Sequence, residues 1–95
     1  MIYLNVLLTG KQDADADTVR ALLAGLAVAS RAEPGCERFE VYQSQTDRQH
    51  FMLVERWASQ AALDAHRLAD AFTNTYVPNV LPLVDRAPHP SDLVA

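Results

Sequence analysis

Residues 2–9, IYLNVLLT, set Ile2, Leu4, Val6 and Leu8 on one side of an extended segment and Tyr3, Asn5, Leu7 and Thr9 on the other. Both sets are largely apolar. This predicts a central strand covered on both faces, with Gly10 and Lys11 breaking it. A chain of 95 residues has room for one core and no second domain, so residues 1–95 are expected to form a single unit. Helices of the same chain can cover one face of that strand. The other face calls for a partner.

The following segments supply the first cover. Val19, Leu22, Leu23, Leu26, Ala29 and Ser30 make one stripe of a helix over about 15–33, with Arg20, Ala24, Ala27 and Arg31 pointing away. Gly25 inside it costs on the order of 1 kcal/mol against Ala, which suggests a close backbone approach there. Pro34-Gly35 ends the helix. Strands are expected at 37–44 and 50–57, joined as an antiparallel hairpin by the polar link 45–49. Ser59 is a good N-cap for a helix over 60–69, with a short helical piece at 70–76 and another turn near 79–85. Pro88 and Pro90 confine a last strand to about 90–94, at an edge.

The order β-α-β-β-α-(β) is the split βαβ, ferredoxin-like arrangement of the α+β class, an antiparallel sheet with helices on one face. The helix-free face, apolar on strands one and three, predicts a homodimer with sheets packed together. A domain this small buries only about two-thirds of its unfolded surface, and two-fold pairing is the commonest remedy.

Hydrophobic residues form 49% of the chain and the net charge is −4, with no cluster of Lys and Arg, so the footprint of a nucleic-acid binder is missing. No stretch is long and apolar enough to suggest a membrane span or a signal peptide. Cys36 is the single cysteine and has no internal disulfide partner, which makes the cytoplasm the expected compartment.

Chemistry-bearing residues are few. Asp13, Asp15 and Asp17 alternate like a calcium loop, but the sixth and twelfth places of such a loop hold Thr18 and Ala24 instead of Gly and Glu. They read better as acidic residues at a helix N-terminus. His66 falls between Leu63 and the pair Ala62 and Ala69, on the stripe that faces the sheet. It is either a satisfied core histidine or a pocket residue with space left by small neighbours. Asn5, a poor strand former between Tyr3 and Leu7, has to be hydrogen-bonded or line a cavity. Tyr76, ten residues beyond His66, is placed to reach the same space. Trp57 reads as packing, Cys36 as an inert thiol, and His50 and His89 as exposed. No metal-ligand spacing, phosphate loop or dinucleotide fingerprint occurs.

The run Glu33-Pro34-Gly35-Cys36-Glu37-Arg38-Phe39-Glu40-Val41-Tyr42 resembles the second-strand signature of the antibiotic biosynthesis monooxygenase (ABM) domain family. Phe51-Met52-Leu53-Val54-Glu55-Arg56-Trp57, then Ala62-Leu63-Asp64-Ala65-His66, is similar to its third strand and second helix. The match is close over 33–72 and extends to the whole chain in length and element order. It implies a dimeric α/β barrel with a pocket between sheet and helices in each subunit. The family holds cofactor-free quinol and polyaromatic monooxygenases, haem-degrading enzymes and isomerases. Haem-degrading relatives carry an Asn on strand one, a Trp on helix two and a ligating His ten residues later. This chain has Asn5, His66 and Tyr76 at those places, so haem is disfavoured. Many quinol-oxidising relatives add a second His where this chain has Ala71.

The resemblance therefore implies an oxygenase that uses no metal or flavin and acts on a small phenolic, quinol or polyaromatic compound. Asn5 would orient substrate or oxygen, His66 would take the phenolic proton and Tyr76 would donate a hydrogen bond. Tyr3, Leu63, Phe72 and Trp57 would line the pocket. A non-catalytic small-molecule-binding domain and an isomerase of a small carbonyl compound are the alternatives on the same fold.

Overall fold

In the computed structural model, which describes residues 1–95, four strands form one antiparallel sheet: β1 (Ile2–Gly10), β2 (Cys36–Gln43), β3 (His50–Trp57) and β4 (Val84–Ser91). Their order is β2-β3-β1-β4, which puts the doubly apolar first strand inside the sheet, as its sequence requires. Helices α1 (Ala16–Arg31) and α2 (Gln60–Leu68) and a π-helical segment (Ala71–Val80) cover one face. The helices on one side and the antiparallel pairings are those of the ferredoxin-like arrangement.

Register sorts the side chains into rows. Facing the helices are Val41–Leu53–Val6–Pro88 and Phe39–Glu55–Leu4–Pro90. Facing away are Tyr42–Met52–Leu7–Ala87 and Glu40–Val54–Asn5–His89. The inner rows bury Leu4, Val6, Phe39 and Leu53 against Val19, Leu23, Leu26 and Leu63. Each such side chain contributes about 1.5–3 kcal/mol on leaving water.

Four details differ from the sequence expectation. On α1 the buried set is Ala16, Val19, Leu23, Leu26, Ala27 and Ser30, so Ala27 lies inside and Ala29 outside. The helix is turned so that Ala27 sits toward Val41 of β2, while Leu22 and Ala29 open onto a groove beside the π segment. Gly25 lies in that groove with nothing within 4 Å of where a Cβ would stand, so no close approach demands it. The last strand begins at Val84, well before residue 90, and contains Pro88 and Pro90. Two prolines spaced by two share one parity of an edge strand, and the parity whose N–H would face solvent loses no ladder bond. Finally, the segment after α2 is a ten-residue π helix across Pro78. Proline offers no N–H to an α turn, and the wide register closes past it, with Leu81 N–H reaching the Tyr76 carbonyl.

Ser59 caps α2 as its sequence suggests, its Oγ accepting from Ala62 N at 3.1 Å. No helix is long and apolar enough to cross a membrane.

Candidate active site

The Glu33-Pro34-Gly35 turn between α1 and β2 sets the geometry under the helices. Gly35 has φ of +81°, and an added Cβ would come within 2.5 Å of Ala62 Cβ. Helix α2 therefore rests directly on this turn. One helical turn beyond Ala62 stands His66, and its Nδ1 lies 2.7 Å from Oε1 of Glu33. His66 is 4% exposed. Its ring packs 4.5 Å from Trp57, 5.7 Å from Phe39 and 5.4 Å from Phe72, centroid to centroid. Phe72 in turn lies 5.2 Å from Tyr76.

Two further polar groups stand beside this aromatic box, one on the sheet and one on the π segment. Glu55, on the helix-facing side of β3, is 5% exposed, and its Oε1 accepts from Trp57 Nε1 at 3.0 Å. Burial pushes the Glu55 carboxyl above the ordinary range; the Trp57 hydrogen bond and the charges of Arg86 and Arg67 pull the other way. Tyr76 receives a hydrogen bond on its hydroxyl from Arg86 Nε at 3.2 Å. Burial raises its phenol as well, against the pull of Arg86. Burial and the charge of Glu33 likewise raise the Cys36 thiol, which fits an inert role.

His66, Glu55, Tyr76, Arg86, Leu63 and Phe72 all line one interior cavity. Its free interior is about 10 Å³, room for one water. Admitting a ligand requires α2 or the π segment to move outward. The chain is broken between them: α2 ends at Ala69 in extended backbone, and helical geometry resumes at Asp70. A far roomier concavity, about 580 Å³, lies elsewhere, at the end of the sheet around Leu7, Tyr42, His50, Met52 and Asp85. It holds no comparable cluster of buried ionisable groups, so the chemistry and the open volume do not coincide.

Of the residues singled out from sequence, His66, Tyr76, Leu63 and Phe72 come together, and Trp57 joins them by stacking on His66. Asn5 and Tyr3 do not. They lie on the helix-free face, because their parity on β1 is opposite to that of Leu4 and Val6. Asn5 Nδ2 donates to Ser91 Oγ at 3.2 Å, and Tyr3 lies under the Arg56 guanidinium at 5.1 Å. Asn5 is thus satisfied within a network on the opposite face and does not share a cavity with His66. Sequence reasoning missed Glu55, Glu33 and Arg86. The signal for Glu55 was present: it alternates with Phe51, Leu53 and Trp57 on the core parity of β3. Glu33 had no such signal, since only the turn against Ala62 brings it to His66. Arg86 was hidden by placing the last strand too late.

The model of the antibiotic biosynthesis monooxygenase family matches residues 1–76. A stretch of 56 residues is 39% identical to Rv0793 of Mycobacterium tuberculosis, a protein named only provisionally as a monooxygenase. That match takes in 59% of this chain and 54% of the relative, so the chain spans about half its length there. The solved structure of Rv0793 superposes over 100% of both chains, with TM-score 0.80 and 27% identity. A solved antibiotic biosynthesis monooxygenase matches with TM-score 0.86 and 27% identity over 98% of this chain and 99% of that one. A Bacteroides thetaiotaomicron protein of unknown function, described as a possible oxidoreductase, matches with TM-score 0.88 and 25% identity over 97% and 96%.

Proposed function

The chain belongs to the antibiotic biosynthesis monooxygenase family, and on that premise we propose that it is a monooxygenase working without metal, haem or flavin on a small phenolic or quinol compound. One observation carries the reading. Hydrogen bonding engages His66 through Nδ1 alone, inside an aromatic box beside Tyr76.

The chemistry follows from these groups. His66 Nε2 accepts the phenolic proton. The phenolate then passes an electron to O₂, and the resulting radical pair combines at a ring carbon to form a C–O bond. The peroxide loses water, taking the hydrogen of that carbon. A hydroquinone plus O₂ thereby becomes a hydroxyquinone plus water, with all four electrons drawn from the substrate. Tyr76 donates to the developing oxyanion, and the Arg86 hydrogen bond to its oxygen makes its O–H a stronger donor.

The assembly is read as a homodimer closed over the helix-free face. Leu7 and Tyr42 are each 46% exposed and Met52 is 39% exposed, and register sets all three in one row. A contiguous apolar row on a sheet face is what a second sheet would cover.

Oxygen uptake with a panel of hydroquinones, in chelator-treated and flavin-free protein, tests the reading. Turnover with water as the reduced product supports it. The burial of His66 among Phe39, Trp57 and Phe72 favours a second reading, a binding domain in which His66 is structural; ligand binding with no oxygen uptake would select it. Isomerisation of an enolisable carbonyl compound without oxygen uptake would select an isomerase.

A further inference from the structure

We infer that the Glu33-Pro34-Gly35 turn sets the tautomer of His66: Glu33 is a positioning residue that holds the proton on Nδ1 and leaves Nε2 as the lone pair available to the cavity. This deepens the reading of His66 as a base, and rests on that reading only for its consequence in catalysis.

Three features of the fold combine here. Gly35, at φ +81°, leaves no Cβ to hold α2 away, so Ala62 seats against the turn. The Gly35 carbonyl accepts from Ala58 N at 2.8 Å, which ties the turn to the end of β3 just before α2 begins. With Ala62 fixed, the residue four further along the same helix face is His66, and the residue two before Gly35 is Glu33. Their side chains meet at 2.7 Å, with Glu33 about one-sixth exposed and His66 almost wholly buried. Pro34 gives Glu33 the extended preference of a residue before proline, which stops α1 from carrying the carboxylate onward.

An ionised carboxylate only accepts hydrogen bonds, so a neutral imidazole facing it carries its proton on the facing nitrogen. Here that nitrogen is Nδ1. A histidine with nothing holding Nδ1 favours the opposite form, protonated on Nε2. Glu33 therefore works against the intrinsic preference, and does so in the direction that creates a base. When Nε2 takes a proton, the same carboxylate stabilises the imidazolium. Stacking on Trp57 and the edge contact with Phe72 keep the ring from rotating out of this arrangement.

The test is a two-bond ¹H–¹⁵N correlation spectrum of labelled protein in alkaline buffer, where only neutral tautomers contribute. The His66 signals are identified by their loss in His66→Asn. The expected result is the Nδ1–H pattern in the unaltered protein and a shift toward Nε2–H in Glu33→Leu, which keeps about the same size but has no acceptor for Nδ1–H. An Nε2–H pattern in the unaltered protein overturns the inference, whether or not the variant folds. So does an Nδ1–H pattern that persists in Glu33→Leu. In an active preparation Glu33→Leu lowers kcat by about 10²-fold or more with KM held. If the tautomer switches but no hydroquinone is turned over, the positioning role stands and the oxygenase reading falls.

Discussion

The indole Nε1–H of Trp57 donates to Oε1 of Glu55 across 3.0 Å, two residues apart on one face of one strand. The hydrogen bond keeps a carboxyl group inside the core without a partner of full opposite charge. Burial still raises its pKa from an ordinary value of 4.5. The folded state then holds the proton more tightly than the unfolded state does, so stability falls as pH rises from the ordinary carboxylate range through the raised value. Glu55→Gln keeps the oxygen that Trp57 needs and removes the titration. It should flatten the dependence of Tm on pH between 4 and 8. At pH 8 it should raise Tm by about 4–8 °C for each 1 kcal/mol of penalty removed. Thermal unfolding across that range is the measurement; a Glu55→Gln curve parallel to the unaltered protein's would contradict it.

Two glycines should respond in opposite directions. Gly25 sits in an exposed helix position with open space around it, so Gly25→Ala should stabilise by about 0.5–1 kcal/mol. Gly35 has a positive φ and Ala62 in the way, so Gly35→Ala should destabilise by about 1–3 kcal/mol. Because α2 rests on Gly35, that variant should also loosen the Glu33–His66 contact. Urea denaturation of both variants checks the pair of signs.

Met52 stands between Leu7 and Tyr42 on the helix-free face. If that face is covered by a second copy, Met52→Glu places a charge in the middle of an apolar contact and should give a monomer. Sedimentation at micromolar concentration should show a dimer for the unaltered chain and a species near 10.5 kDa for the variant. A clean monomer in both would retire the homodimer.

Much of the fold was legible because period and punctuation agree. The alternation in 2–9, the Pro34-Gly35 stop and the Ser59 cap each bound an element by local chemistry, and the observed strands and helices keep those limits within a few residues. The region after Tyr76 was legible only in part: a helical turn stands at Leu81–Leu83, within the expected 79–85, but Pro78 suppresses an α turn without dictating the π register that replaces it. The prolines of β4 misled for a related reason: spacing by two is harmless on one parity of an edge strand and disruptive on the other. At the site, His66 was recoverable from helical phase and Tyr76 from its spacing to His66. Asn5 was not, because two apolar faces of β1 look alike until the helices choose one. Glu33 lies 33 positions from its partner, and only folding reveals that pairing.

The most direct test compares oxygen uptake by the unaltered protein and His66→Asn on whichever hydroquinone is turned over, with thermal unfolding of both measured alongside. Asparagine retains a donor in the place of Nδ1, so Glu33 keeps its hydrogen bond while the Nε2 base is gone. The expected result is a loss of about 10²–10⁴-fold in kcat with Tm shifted by only a few degrees. Turnover that survives in His66→Asn at the unaltered rate would contradict a catalytic His66 and leave it a core residue.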